Sequence, residues 1–221
     1  MGSSQKTVGL WAVLPVKPFS EGKSRLAHVL TPTERKHLNK KLFRHTLEAI
    51  LASTVETTIV VSSSEEVRRL AAQMGAMPLV ENAGNGDLNA ALNQGADHAR
   101  DAGAHALVSL SADLPWVSSE DIDALVDTQA TMSVAIAPDR HDVGTNAIFQ
   151  RPIGVIEFCY GTDSFAKHRS KISSTLKGKI AIRIVRREGL CFDVDTQTDL
   201  EELRSAEGMN EGYSNATCPS G

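Results

Sequence analysis

The strongest constraint on the fold is an alternation. Short apolar runs rich in β-branched residues are followed, again and again, by runs with helical spacing. Residues 8–16 read as a buried strand that ends near a proline. Thr31-Pro32-Thr33-Glu34 has the form of a capping box with Pro at the first helical position, and Leu38, Leu42, Leu47, Ile50 and Leu51 continue at helical spacing. The same rhythm predicts strands at 57–61, 77–80, 106–110, 133–137, 145–149 and 180–185. It predicts helices at 64–75, 87–102, 119–129, 164–176 and 198–206. Gly75 sits where a helix C-terminus needs a left-handed residue. Repeated βα units imply an α/β fold, a mostly parallel sheet with helices on both faces. No internal repeat or linker divides the chain, so residues 1–207 read as one domain. Residues 208–221 carry Gly, Ser and Asn without periodicity and read as a disordered tail.

Composition narrows the function class. The 221 residues suffice for one well-formed core, and 41% are hydrophobic, which excludes a disordered chain. The net charge of −4 gives no basic footprint for nucleic acid. No apolar run reaches membrane length, and no signal-like leader opens the chain. Cys159, Cys191 and Cys218 are scattered, without CxxC spacing, which argues against a disulfide framework or structural zinc. A reducing cytoplasm is the expected compartment.

In parallel α/β sheets ligands bind beyond the carboxyl ends of the strands, so the loops after strands carry the argument. The first, from Pro15 to Leu26, holds Lys17, Lys23 and Arg25 together with Gly22 and Ser24. Backbone N–H groups and cationic heads in such a loop can wrap a triphosphate, although Walker A spacing is absent. A solvated polar loop is the plainer alternative. Asp113 follows a buried strand, and Asp193 and Asp195, two apart, again follow a strand-like run, so by strand alternation they face the same way. Carboxylates gathered at one sheet edge need a cation between them, and hard oxygen donors suit Mg²⁺. Alternatively, Asp113 and Asp195 are helix N-caps. Thr145, with Gly161 and Ser164 at the start of a helix, can offer hydroxyls and N–H groups to an anion, or simply cap. His141 lies in a dense polar loop. Residues 82–89, including Asn85, Gly86 and Asn89, can form a base-recognition loop or a turn.

Taken in order, these segments resemble one family. They are Pro15-Val16-Lys17-Pro18 with Lys23-Ser24-Arg25-Leu26, Leu88-Asn89-Ala90-Ala91-Leu92, Ala112-Asp113-Leu114-Pro115, Ala137-Pro138-Asp139-Arg140-His141 with Gly144-Thr145-Asn146, residues 161–169, and Asp193-Val194-Asp195-Thr196. Together they are similar to the phospholactate guanylyltransferases of coenzyme F-420 biosynthesis, within the MobA-like nucleotidyltransferases. The resemblance implies a Rossmann-like fold of the nucleotide-diphospho-sugar transferase type. It implies GMP transfer from GTP to the phosphate of 2-phospho-L-lactate, phosphoenolpyruvate or 3-phospho-D-glycerate, with release of pyrophosphate. By the same resemblance Asp113, Asp193 and Asp195 are the Mg²⁺ ligands, and Lys17, Lys23 and Arg25 line the triphosphate. Thr145, Gly161 and Ser164 hold the acid's phosphate. Apart from the resemblance, His141 can hydrogen-bond a glycerate hydroxyl. Asn85, Gly86 and Asn89 face guanine. A downstream transferase is the implied recipient of the product, and a homo-oligomer stays open. Two alternatives remain: a MobA-like enzyme with another acceptor, against which the missing Gly-rich first loop counts, and a non-catalytic nucleotide-binding protein.

Overall fold

The computed structural model describes residues 5–82, 87–126, 130–176 and 181–214. Strand β1 (Thr7–Pro15) is followed by a long loop that closes in a 3-10 turn, Ser24–Leu26, and then by α1 (Pro32–Ala52). The capping box forms as the sequence demands. Thr31 Oγ1 accepts from the Glu34 N–H at 3.3 Å, and Glu34 Oε2 accepts from the Thr31 N–H at 2.7 Å. Next come β2 (Val55–Ser62) and α2 (Glu65–Met74), capped by Ser64 and ended by Gly75 at φ 98°. Then β3 (Met77–Val80), α3 (Leu88–Asp101) and β4 (Ala106–Leu110) complete the first half. The second half is α4 (Ser119–Val126), β5 (Ser133–Pro138), β6 (Thr145–Arg151), α5 (Ser164–Leu176), β7 (Ala181–Ile184), α6 (Glu188–Cys191) and α7 (Gln197–Ser214).

The seven strands form one sheet in the order β3-β2-β1-β4-β6-β5-β7. All neighbours are parallel except at β6, which runs antiparallel to β4 and β5. The short connection between β5 and β6 forces this, because a parallel neighbour needs a crossover of a dozen or more residues. Alternate residues feed two cores. Leu10, Ala12 and Leu14 of β1 point to the face covered by α1, α2 and α4, where Phe43, Leu47, Val67 and Leu125 are buried. Val13 points to the other face, against Leu92 and Ala96 of α3 and Phe165 of α5. Helix α3 lies so close that a Cβ on Gly95 would stand 2.6 Å from Val13 Cγ1, which is why glycine occupies that position.

Two expectations change. Helix α6 had no counterpart in the sequence reading: four residues including a glycine carry too little periodicity to show. Helix α7 continues through Ser214, past Ala206, so the first residues of the expected tail are helical. Extending an existing helix adds one hydrogen bond per residue fixed, and Gly208 and Gly212 weaken that process without stopping it. Residues 215–221 lie outside the described residues, as do 127–129 at the expected end of α4.

Candidate active site

From β1 the chain proceeds outward to β2 and β3, and from β4 it proceeds the other way. The loops after β1 and β4 therefore diverge, which opens a crevice at their carboxyl ends. A cleft of 430 Å³ lies there, lined by Lys17, Lys23 and Ser24 from the first loop, Ser111 and Asp113 after β4, Tyr160, and Asp195. Local contacts fix the first loop. Phe19 is buried against Phe43, with ring centroids 5.5 Å apart, and Asn39 Nδ2 donates to the Phe19 carbonyl at 2.7 Å. Lys23 sits in the left-handed region at φ 59°, uncommon for a side-chain-bearing residue, and the buried Leu26 anchors the turn beyond it.

That turn drives the Lys23 ammonium between two carboxylates. Its Nζ lies 2.5 Å from Asp113 Oδ2 and 3.0 Å from Asp195 Oδ1, with a side chain only 5% exposed. Burial alone would lower its pKa, but the two carboxylates overcome that and raise it, so the group stays charged. Arg25 approaches Asp195 at 3.7 Å and is 75% exposed. Lys17 is exposed on the cleft wall.

Neither Asp113 nor Asp195 is a helix cap. Helix α4 starts at Ser119, and its entry is held by Ser118 and Asp121, whose Oδ2 accepts from the Ser118 N–H at 3.0 Å. Helix α7 starts at Gln197, and Asp199 Oδ2 accepts from the N–H groups of Thr196 at 2.6 Å and Asp195 at 2.9 Å. Contrary to the sequence expectation of a strand, Asp193 and Asp195 lie in an extended segment that follows α6. The alternation still holds, because Val194 between them is fully buried in a small core with Phe192 and Leu200. One oxygen from each of Asp113, Asp193 and Asp195 lies within 4.8 Å of the others. Burial, then repulsion from Asp113 and Asp195, pushes the Asp193 carboxyl up to about 7, against the pull of Lys23 and Asn146. Three hard donors with an excess of negative charge fit a divalent cation such as Mg²⁺. Trp116 stacks on Phe192 at 4.0 Å between centroids, joining the segments that carry Asp113 and Asp193, and Arg140 caps Phe192 at 4.8 Å.

The remaining predicted residues lie elsewhere. Thr145 and Ser164 are buried, and Gly161 is an exposed turn glycine at φ 118°; none of the three lines the cleft. Thr145 Oγ1 pairs with His168 Nδ1 at 3.1 Å, while His168 Nε2 accepts from the Cys159 N–H at 2.8 Å, which puts the ring proton on Nδ1. Burial lowers the His168 pKa to about 4, although a bond to the Ser164 backbone opposes it. His141 is exposed. The Asp139 carboxylate accepts from the N–H groups of His141, Val143 and Gly144 and so shapes that loop. Asn89 does not present a free amide: it donates to the Tyr160 carbonyl at 3.1 Å and accepts from the Tyr160 N–H at 2.8 Å. Asn85 and Gly86 lie outside the described residues. Sequence reasoning missed three participants. Asn146 reaches both the Leu190 carbonyl and Asp193, Tyr160 lines the cleft, and His168 organises the β6–α5 region. Asn146 and His168 stood within segments already noted, but their partners are distant in sequence.

Among solved structures, a nucleotidyl transferase from Methanothermobacter superposes with a TM-score of 0.64 at 15% identity, covering 91% of this chain and 98% of that one. CMP:2-keto-3-deoxy-manno-octonic acid synthetase, complexed with CTP, superposes with a TM-score of 0.57 at 14% identity, covering 91% and 99%. Likeness at that identity speaks for the fold. With relatives named guanylyltransferase and an acidic cluster at the mouth of the cleft, it makes the chain a nucleotidyltransferase. A family model described as guanylyl transferase CofC like matches residues 10–211. The chain is 45% identical over 193 residues to a phosphoenolpyruvate guanylyltransferase of Sphaerobacter thermophilus, covering 87% of this chain and 91% of that protein. It is 31% identical to a 2-phospho-L-lactate guanylyltransferase of Methanothermobacter thermautotrophicus, covering 87% and 82%. The chain belongs to the CofC-like guanylyl transferase family.

Proposed function

We propose that this enzyme transfers GMP from GTP to the phosphate of phosphoenolpyruvate, releasing pyrophosphate, as a step toward coenzyme F-420 in the cytoplasm. The observation that carries the reading is the meeting of Lys23 with Asp113 and Asp195 at the cleft, 2.5 and 3.0 Å away, with Asp193 beside them. The acceptor is favoured by relatives named for phosphoenolpyruvate, the one at 45% identity among them. 2-Phospho-L-lactate and 3-phospho-D-glycerate are the other candidates.

An acceptor phosphate oxygen attacks the α-phosphorus of GTP. The new P–O bond forms as the bond to the bridging oxygen of the β-phosphate breaks, and pyrophosphate leaves with that electron pair. The acceptor is already ionised near neutral pH, so this chain need not supply a general base. Its task is to bring two anions together in line. Lys17, Lys23 and Arg25 offset the charge of the triphosphate, and the backbone of the first loop orients it. Asp113, Asp193 and Asp195 would hold Mg²⁺, which supplies further charge neutralisation at the α-phosphate. Guanine is assigned to residues 82–89. Thr145, Gly161 and Ser164 bind or shape the acid's subsite.

Pyrophosphate release, measured with GTP or ATP against the three acids, tests the reading. Turnover is expected with GTP and Mg²⁺, fastest with phosphoenolpyruvate. Equal turnover with ATP would overturn the base assignment, and a clear preference for another acid would overturn the acceptor.

A further inference from the structure

We infer that Lys23 is a resident counter-cation of the carboxylate cluster and a positioning residue that must exchange with the divalent ion. The inference rests on the reading of Asp113, Asp193 and Asp195 as ligands of that ion. The expectation from sequence was a lysine facing phosphate. The structure instead places its Nζ on Asp113 and Asp195 at once, with the side chain almost wholly enclosed.

Several features make this a designed position and not a chance rotamer. The backbone of Lys23 is held in a left-handed conformation that side chains rarely adopt, and such positions persist only where the surroundings over-determine them. Its carbonyl accepts from the N–H of Leu26 at 2.9 Å, and the Leu26 side chain is fully buried. The turn therefore aims the ammonium inward. Arg25, two residues on, has the opposite character: it is mostly exposed and lies 3.7 Å from Asp195 Oδ2.

An ammonium and a divalent cation on the same carboxylate oxygens repel each other at close range. Both cannot hold Asp113 and Asp195 in this arrangement. The lysine stem has four rotatable carbons and lies in the wall of the cleft, alongside Lys17, Ser24 and Ser111. Rotation carries the ammonium from the carboxylates to the space assigned to the triphosphate. Lys23 thus couples the two sites: leaving the carboxylates makes room for the ion, and the phosphates that accompany the ion receive the lysine. Coupling of this kind is reciprocal, so nucleotide and ion each tighten the binding of the other.

Calorimetric titration of the full chain with Mn²⁺, without nucleotide, is the test. Lys23→Met removes the charge and keeps much of the stem. Its Mn²⁺ affinity is expected to rise by about tenfold or more over the wild type, while Lys23→Arg stays close to the wild type. Adding a non-hydrolysable GTP analogue tightens Mn²⁺ binding in the wild type, and that gain shrinks in Lys23→Met. Thermal unfolding supplies a second readout: Mn²⁺ raises the melting temperature of Lys23→Met more than that of the wild type. If Lys23→Met does not fold, Lys23→Gln, which is neutral and keeps a polar amide donor, carries the same expectation. Equal or weaker Mn²⁺ binding in the neutral variant overturns the role of Lys23 and leaves the metal reading standing. Absence of Mn²⁺ binding in every protein, with and without the GTP analogue, overturns both.

Discussion

The two walls of the molecule that meet near Tyr160 treat their polar groups in opposite ways. On the β1 and β4 side, Lys17, Arg25 and much of Asp195 face solvent, and the close contacts are ion pairs that a ligand can replace. On the β6 and α5 side, polar groups close on one another. Thr145 meets His168, His168 meets the Cys159 backbone, Asn89 of α3 clamps both polar atoms of the Tyr160 backbone, and the Tyr160 hydroxyl reaches across to Ser109 of β4 at 2.9 Å. The first wall is built to exchange partners and the second to hold a shape. In the proposed reaction the first wall would carry the chemistry, and the second would shape the acceptor's subsite.

The largest effect expected from this contrast is at Asp113. Asp113→Asn preserves size, and Asp113 caps no helix, so folding is retained. The rate of pyrophosphate release falls by about a thousandfold, the scale for loss of a charge centred on the reacting phosphate. A variant that folds and keeps near wild-type turnover would take the open wall out of the mechanism.

A second break targets the closed wall. His168 is depressed from its ordinary value to about 4 by burial, so the unfolded chain binds its proton more readily than the folded one. Its contribution is complete above about pH 6.5 and is lost as pH falls toward 4, about 3 kcal/mol at most. In denaturant titrations the stability gap between wild type and His168→Gln is therefore expected to narrow across that window. A gap constant from pH 7 to pH 4 would mean that His168 is not held neutral.

Ser164→Ala sharpens the division further. If the closed wall shapes the acid's subsite, the Michaelis constant for the acid rises several-fold, about 1 kcal/mol, while that for GTP barely moves. A selective change in the GTP constant would exchange the two subsites. The smallest effect belongs to the end of α7. Removing residues 208–221 retains the Lys41–Glu207 pair, itself exposed, and is expected to shift stability by less than about 0.5 kcal/mol with activity intact. Loss of most activity would show that this end of the chain takes part in the site.

What the sequence made legible was local. The Thr31 capping box, the Ser64 cap, Gly75 and the parity of Asp193 and Asp195 depend on neighbours a few residues away, and each forms as written. The position of the antiparallel strand was hidden, because the short β5–β6 connection fixes its direction but not its docking between β4 and β5. The destination of Lys23 was hidden for the same reason: its partners arrive from β4 and from the segment before α7. Thr145 and Ser164 look like ligand-facing hydroxyls in sequence, yet their surroundings bury them. Asn89 looks like a reader of bases in sequence, yet both polar atoms of its amide engage the Tyr160 backbone.

The stacking of Trp116 on Phe192 has a consequence for how selectively the cluster can bind. It rivets together two stretches of chain that would otherwise drift independently, with Arg140 pressed on the outer face and tied to Asp199 and Glu202. Donors held on a common frame lose little disorder when they converge on a ligand, which is the entropic basis of chelation. A stiff frame also resists widening to suit a larger ion, whose flexible coordination is its chief advantage over a smaller, stricter one. The aromatic pair, which does not line the cleft, would thereby bear on which divalent ion the three carboxylates accept.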